Sequence, residues 1–188
     1  MFREKMVTPA IPERVYVLCK IVEKGPISSS ELKEKMEPAE LNADTSTAYF
    51  PDYRTAAEEL GLIITSDNMI SLAVDPSVIE SRQTMRKYVN GVLRKFSDGQ
   101  FYQVTHAYYM LGADALKTEK NLSNLGPVMS ELTGQKVDAM AMRAWRFWVS
   151  YLGLGYLQEM FMIPNADVFL QDVIELAGLE KGKKYCYD

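Results

Sequence analysis

The sequence predicts a mainly α-helical protein with small β-hairpins, organised as two related units in tandem. Three observations carry that expectation. Apolar residues recur at helical spacing along much of the chain. A glycine-terminated helix leading into a pair of short β-rich runs occurs once in each half. A gap-free shift of 92 residues lays the second such passage on the first. Under that shift Tyr53-Arg54 falls on Trp145-Arg146, Leu60-Gly61-Leu62 on Leu152-Gly153-Leu154, Met69-Ile70 on Phe161-Met162, and Asp75 on Asp167. Phe50, Tyr53, Ala57 and Leu60 form one helical stripe, and Met142, Trp145, Val149 and Leu152 form its counterpart.

The elements follow in order. Residues 12–24 carry Val15, Leu18, Cys19 and Val22 on one helical face, with Pro12 suited to a first turn and Gly25-Pro26 as the stop. Ser28 and Glu31 have the spacing of a capping box that opens a short helix through Met36. The stretch from Pro38 to Thr47 is polar and loop-like. A third helix is expected from Tyr49 to Leu60, ended by Gly61, and then a hairpin turning at Asp67-Asn68. In the second half, residues 78–96 predict one long amphipathic helix and 100–111 another. Residues 112–121 suit a loop or an extra turn, and Leu125–Leu132 a short middle helix. Asp167 is expected to cap a helix over 168–177, with Gly178 ending it. The expected division is therefore 1–75 and 76–188, the second part carrying the added helix 78–96 and the C-terminal helix.

Composition narrows the class. Hydrophobic residues make up 47% and charged residues 24%, the balance of a packed chain rather than a disordered one. No run of eighteen apolar residues provides a membrane span, and two cysteines, Cys19 and Cys186, make no disulfide framework, so a cytoplasmic setting is expected. The charge is uneven. Residues 1–75 hold 8 Lys/Arg against 13 Asp/Glu, while 76–188 hold 13 against 12. Phosphate neutralisation needs cations, so a nucleic-acid surface is expected in the second half.

Enzymatic chemistry finds little to use. His106 is the one histidine and sits among aromatics, where a packed or partly exposed helix residue is the simpler role. No His/Cys spacing suits zinc, and no cofactor is expected. Gly153-Leu154-Gly155 lacks the third glycine of a dinucleotide fingerprint. The expectation is a protein that is not an enzyme.

The segment GPISSSELKEKM, followed by a helix ending LGLI and a hairpin, resembles the winged helix-turn-helix superfamily over residues 10–75. With the 92-residue repeat, the resemblance implies two tandem winged-helix domains and a DNA-binding role, such as transcription regulation. In that fold the third helix enters the major groove. The first unit offers Thr55, Glu58 and Glu59 there, with Arg54 at the flank, a face that repels phosphate. The second offers Arg143, Phe147 and Ser150, with Arg146 at the flank and Tyr151 nearby. Arg86, Lys87 and Arg94 on the helix 78–96 add candidate phosphate contacts. Neither hairpin carries Lys or Arg, which counts against minor-groove insertion. The alternative expectation is an interaction subunit of a larger complex, binding a protein partner through Phe147 and Tyr151. A homo-oligomer fits either reading.

Overall fold

A computed structural model describes residues 1–3, 5–41, 49–118, 122–158 and 161–186. The chain is mainly α-helical with two small antiparallel sheets. Helix α1, Pro12–Val22, buries Val15, Leu18, Cys19 and Val22, the face that the spacing marks. Strand β1, Ile27–Ser28, leads into α2, Ser29–Met36, where Ser28 Oγ accepts from the Glu31 amide at 3.2 Å. Helix α3 runs from Phe50 to Glu59 with Pro51 in its first turn. Strands β2, Ile63–Ser66, and β3, Met69–Leu72, follow. Asp67 and Asn68 both have positive φ, 49° and 67°, as a two-residue turn matched to strand twist requires. β1 pairs with β3, giving the order β1-β3-β2.

The single helix expected over 78–96 is three pieces. A 3-10 turn at Pro76–Ile79 precedes α4, Arg82–Val92, and another at Leu93–Phe96 follows it. The cause is local. Ser81 is extended, its Oγ accepts from the Thr84 amide at 3.1 Å, and Thr84 Oγ1 accepts from the Ser81 amide at 3.0 Å. That reciprocal box starts a new helix. Val78 therefore lies outside α4, while Met85, Val89 and Phe96 are buried.

Helix α5, Gln100–Leu111, has the expected bounds, and a short α6, Asp114–Thr118, occupies the extra-turn segment. Helix α7 is Leu122–Thr133 and α8 is Ala139–Tyr151. Strands β4, Gly155–Gln158, and β5, Phe161–Pro164, pair as the second hairpin. Helix α9, Asp167–Leu176, starts one residue earlier than expected. Asp167 lies within its first turn and does not cap it; Asn165 Oδ1 accepts from the Asp167 amide at 2.8 Å. The expected loop after Leu41 and the hairpin residue Glu159 lie outside the described residues.

The two helix-to-hairpin passages match strand for strand and share the bonds that end the helix. The Leu62 amide donates to Ala57 O at 3.0 Å, and the Leu154 amide donates to Val149 O at 3.0 Å. Gly61 and Gly153 end their helices at φ 68° and 72°, a left-handed geometry that glycine adopts without penalty. Tyr53 and Trp145 are buried at equivalent places, as are Leu60 and Leu152.

Buried side chains form one continuous cluster from Met1 to Met162. The segment before α1 is part of it. Phe2 lies edge-on to Trp148 with centroids 4.7 Å apart, and Trp148 Nε1 donates to Ala10 O at 2.5 Å. Among the described residues no helix is long and apolar enough to cross a membrane.

Candidate nucleic-acid interface

Helix α8 is built to present one face. Its inner side, Ala141, Met142, Ala144, Trp145, Trp148 and Val149, is buried, and Trp145 Nε1 donates to Thr105 Oγ1 on α5 at 3.0 Å. Its start is fixed by Asp138, whose carboxylate accepts from the Ala141 amide at 2.8 Å. That bond, with Lys5 and Lys136 nearby, holds the Asp138 carboxyl below the usual aspartate range. Ser130 ties α7 to the turn before α8, accepting from the Val137 amide at 2.9 Å and donating to Gly126 O at 2.9 Å.

The outer side carries Met140, Arg143, Arg146 and Phe147. Arg143 is exposed, with Nη1 3.7 Å from Met140 Sδ. Arg146 lies across the Phe147 ring, 5.0 Å from its centroid, and its Nε is buried without a hydrogen-bond partner among the described residues. The fold adds two cations here that inspection of the sequence missed. Gln100 is buried on α5; its Oε1 accepts from the Met6 amide at 3.1 Å and its Nε2 donates to Lys136 O at 3.0 Å. One side chain thus brings the backbones beside Lys5 and Lys136 to the start of α8. Residues 131 apart in sequence leave no local signal of that pairing.

The other expected contacts are elsewhere. Arg86 is spent on a two-pronged ion pair with Asp172 of α9, at 2.7 and 3.0 Å, and Asp172 is 1% exposed. The pairing raises the Arg86 pKa above its ordinary value. Lys87 pairs with Glu175, also on α9, whose carboxyl is lowered as a result. The sequence places both cations on the wet face of α4, but α9 covers that face. Arg94 is exposed, beside a groove along α9 and not on α8. Tyr151, expected at a partner surface, donates to Arg82 O at 2.7 Å and stacks edge-on to Trp148, and burial raises its hydroxyl pKa. Phe147 is half-buried under Arg146.

Among the described residues, the equivalent helix α3 keeps no unpaired cation on its outer face. Arg54 bonds Glu58 at 3.2 Å and Ser29 of α2 at 3.1 Å, and Glu58 also accepts from Thr65 at 2.6 Å. Glu59 accepts from the Phe2 amide at 2.7 Å and pairs with the Met1 ammonium at 3.0 Å. Both glutamates are engaged within the fold and are not simply solvated.

His106 is exposed at the rim of an apolar cleft of about 200 Å³ that Phe101, Tyr109, Leu154 and Phe169 help to line. Among the described residues no three His, Cys, Asp or Glu side chains gather as a metal site. Comparison with family models, with curated proteins and with solved structures finds no match for this chain.

Proposed function

We propose that the chain is a DNA-binding protein of two tandem winged-helix units that meets the duplex through the outer face of α8. One observation carries the reading. Of two equivalent third helices, α3 spends its polar face on internal bonds, whereas α8 keeps Arg143 exposed and Arg146 beside it, with Lys5 and Lys136 at its start. A recognition helix uses its N-terminal residues on base edges; Lys5, Lys136 and Arg143 lie toward that end of α8, and Arg146 lies at its middle. The order α1, β1, α2, α3, β2, β3 with β1 beside β3 supports a winged-helix assignment for the first unit. Three helices and a hairpin, α5, α7, α8 and β4–β5, support it for the second.

Fluorescence anisotropy with mixed-sequence duplex DNA at low salt tests this. Binding is expected to weaken steeply with salt, since each neutralised phosphate releases counterion. Joint substitution Arg143→Ala/Arg146→Ala weakens it further, and Lys5→Ala/Lys136→Ala lowers the salt slope by about 1–2. Arg54→Ala leaves it unchanged. Absence of binding by the unsubstituted protein overturns the reading. Capture of a protein partner that depends on Phe147 then favours the interaction-subunit alternative.

A further inference from the structure

We infer that a second copy of this chain covers helix α9, the two copies packing antiparallel through Leu170, Val173 and Ile174. The inference stands without the DNA reading. At about 100° per residue, Leu176, Phe169, Val173, Ala177, Leu170 and Ile174 span an uninterrupted apolar arc of roughly 160°, with the docked Asp172 beside it and Val168 on its far side. An amphipathic helix normally turns its apolar stripe away from water. Only a narrow inner strip of α9 is docked. Asp172 is buried against Arg86 and Asn90, with Asn90 Nδ2 donating to Asp172 at 2.9 Å. Leu170, Ile174 and Leu176 remain 51%, 54% and 52% exposed. Such a contiguous patch on one short helix marks an interaction surface.

Charge and shape together select the occupant. The start of α9 carries Asp167. Its end is followed by Lys181 and Lys184, while Lys183 pairs with Glu180 at 2.7 Å, Glu175 is held by Lys87, and Arg94 is exposed beside Leu176 and Ala177. An antiparallel pair sets the acidic start of each copy against the basic end of the other and opposes the two helix dipoles. A parallel pair sets like against like. A groove of about 420 Å³ runs beside the helix, walled by Leu93, Tyr102, Phe169, Val173 and Leu176. Leu170 and Ile174 of the other copy are the apolar side chains placed to fill it. A two-fold axis makes both grooves fill at once, the self-complementary arrangement of an isologous dimer.

Sedimentation velocity in the Cys186→Ser background, from low micromolar to several hundred micromolar without DNA, tests the proposal; removing the exposed thiol prevents disulfide dimers. A concentration-dependent monomer–dimer equilibrium is expected. Leu170→Glu/Ile174→Glu raises its Kd at least about tenfold, with helix content and the thermal midpoint of the monomer at low concentration retained because both positions are exposed. The milder Leu170→Ser weakens it less. Asp167→Lys weakens the dimer, and adding Lys181→Asp restores it. A monomer at every concentration, or a dimer indifferent to the double glutamate variant, overturns the proposal. A charge swap that fails to restore overturns the antiparallel arrangement. The DNA titration with Arg143→Ala/Arg146→Ala, run separately, isolates failure of the other reading.

Discussion

Helices α3 and α8 share a backbone programme and differ in surroundings. Both end in a left-handed glycine, both return a leucine amide to the same helical carbonyl, and both feed hairpins whose strands stand 92 residues apart. Yet the outer side of α3 is bonded to α2 and to the segment around Phe2, while that of α8 faces solvent. Inner stripes specify the shared fold. What lies on the other side is decided by chain segments remote in sequence, and there the two passages take different work.

The largest expected contrast pairs one arginine from each half. Arg86→Ala leaves Asp172 buried with Asn90 as its remaining side-chain partner among the described residues, and a cost of about 3–5 kcal/mol is expected. Arg54→Ala breaks a partly exposed pair and costs under about 1 kcal/mol. Urea unfolding of the two variants measures both, and equal losses break the contrast. Arg86 substitutions are for the same reason poor probes of DNA contact.

Next come the shared positions. Leu60→Ala and Leu152→Ala each cost roughly 2–5 kcal/mol, because both side chains are buried and neither site empties to solvent. A loss near zero for either shows that its stripe does not carry the core.

The glycines sharpen the comparison further. A Cβ at Gly61 meets only Tyr88 Oη at 3.4 Å, so Gly61→Ala costs about 1 kcal/mol, the backbone penalty alone. A Cβ at Gly153 meets Val168 Cβ at 2.5 Å and the Phe169 amide nitrogen at 3.0 Å. Displacing the start of α9 adds about 1–3 kcal/mol to Gly153→Ala. Equal thermal midpoints for the two variants contradict the close approach of α9.

The smallest effect concerns helix starts. α8 has a carboxylate cap and α3 has no side-chain cap. Asp138→Ala is expected to cost about 1 kcal/mol. Because the folded Asp138 carboxyl titrates below its unfolded value, the folded state binds fewer protons just below pH ~4. Its contribution is complete above that value and is lost as pH falls through the lower, folded one. Asp138→Asn keeps the cap and removes the titration. Urea midpoints above and below that range are expected to converge for Asp138→Asn relative to the unsubstituted protein.

Local order in the chain made most elements legible. Glycine stops, the Asp67-Asn68 turn and the Tyr53 and Trp145 stripes are written within ten residues of where they act. The break at Ser81 was also local, but the apolar period running through Val78 to Phe96 masked it, since Ser-x-x-Thr is a weaker signature than Ser-x-x-Glu. The candidate interface was legible only in part. Arg143 and Arg146 share a face by helical spacing, whereas Lys5 and Lys136 meet through Gln100, and the loss of Arg86 and Lys87 to α9 depends on packing 86 and 88 residues away. Charge counting locates cations in a half of the chain. It does not say which of them are already paired.

The contact between Trp148 and Ala10 has a spectroscopic consequence. Both tryptophans lie on α8 and are fully shielded, one bonded to α5 and one to the segment before α1. Native emission is therefore expected to be blue-shifted and insensitive to iodide. A red shift on unfolding reports opening around α8, where Trp145 meets α5 and Trp148 meets the segment before α1. Loss of the sheet β1-β3-β2 alone leaves that signal unchanged and is visible only to tyrosine, which makes paired tyrosine and tryptophan melts a direct reading of whether the two halves come apart together.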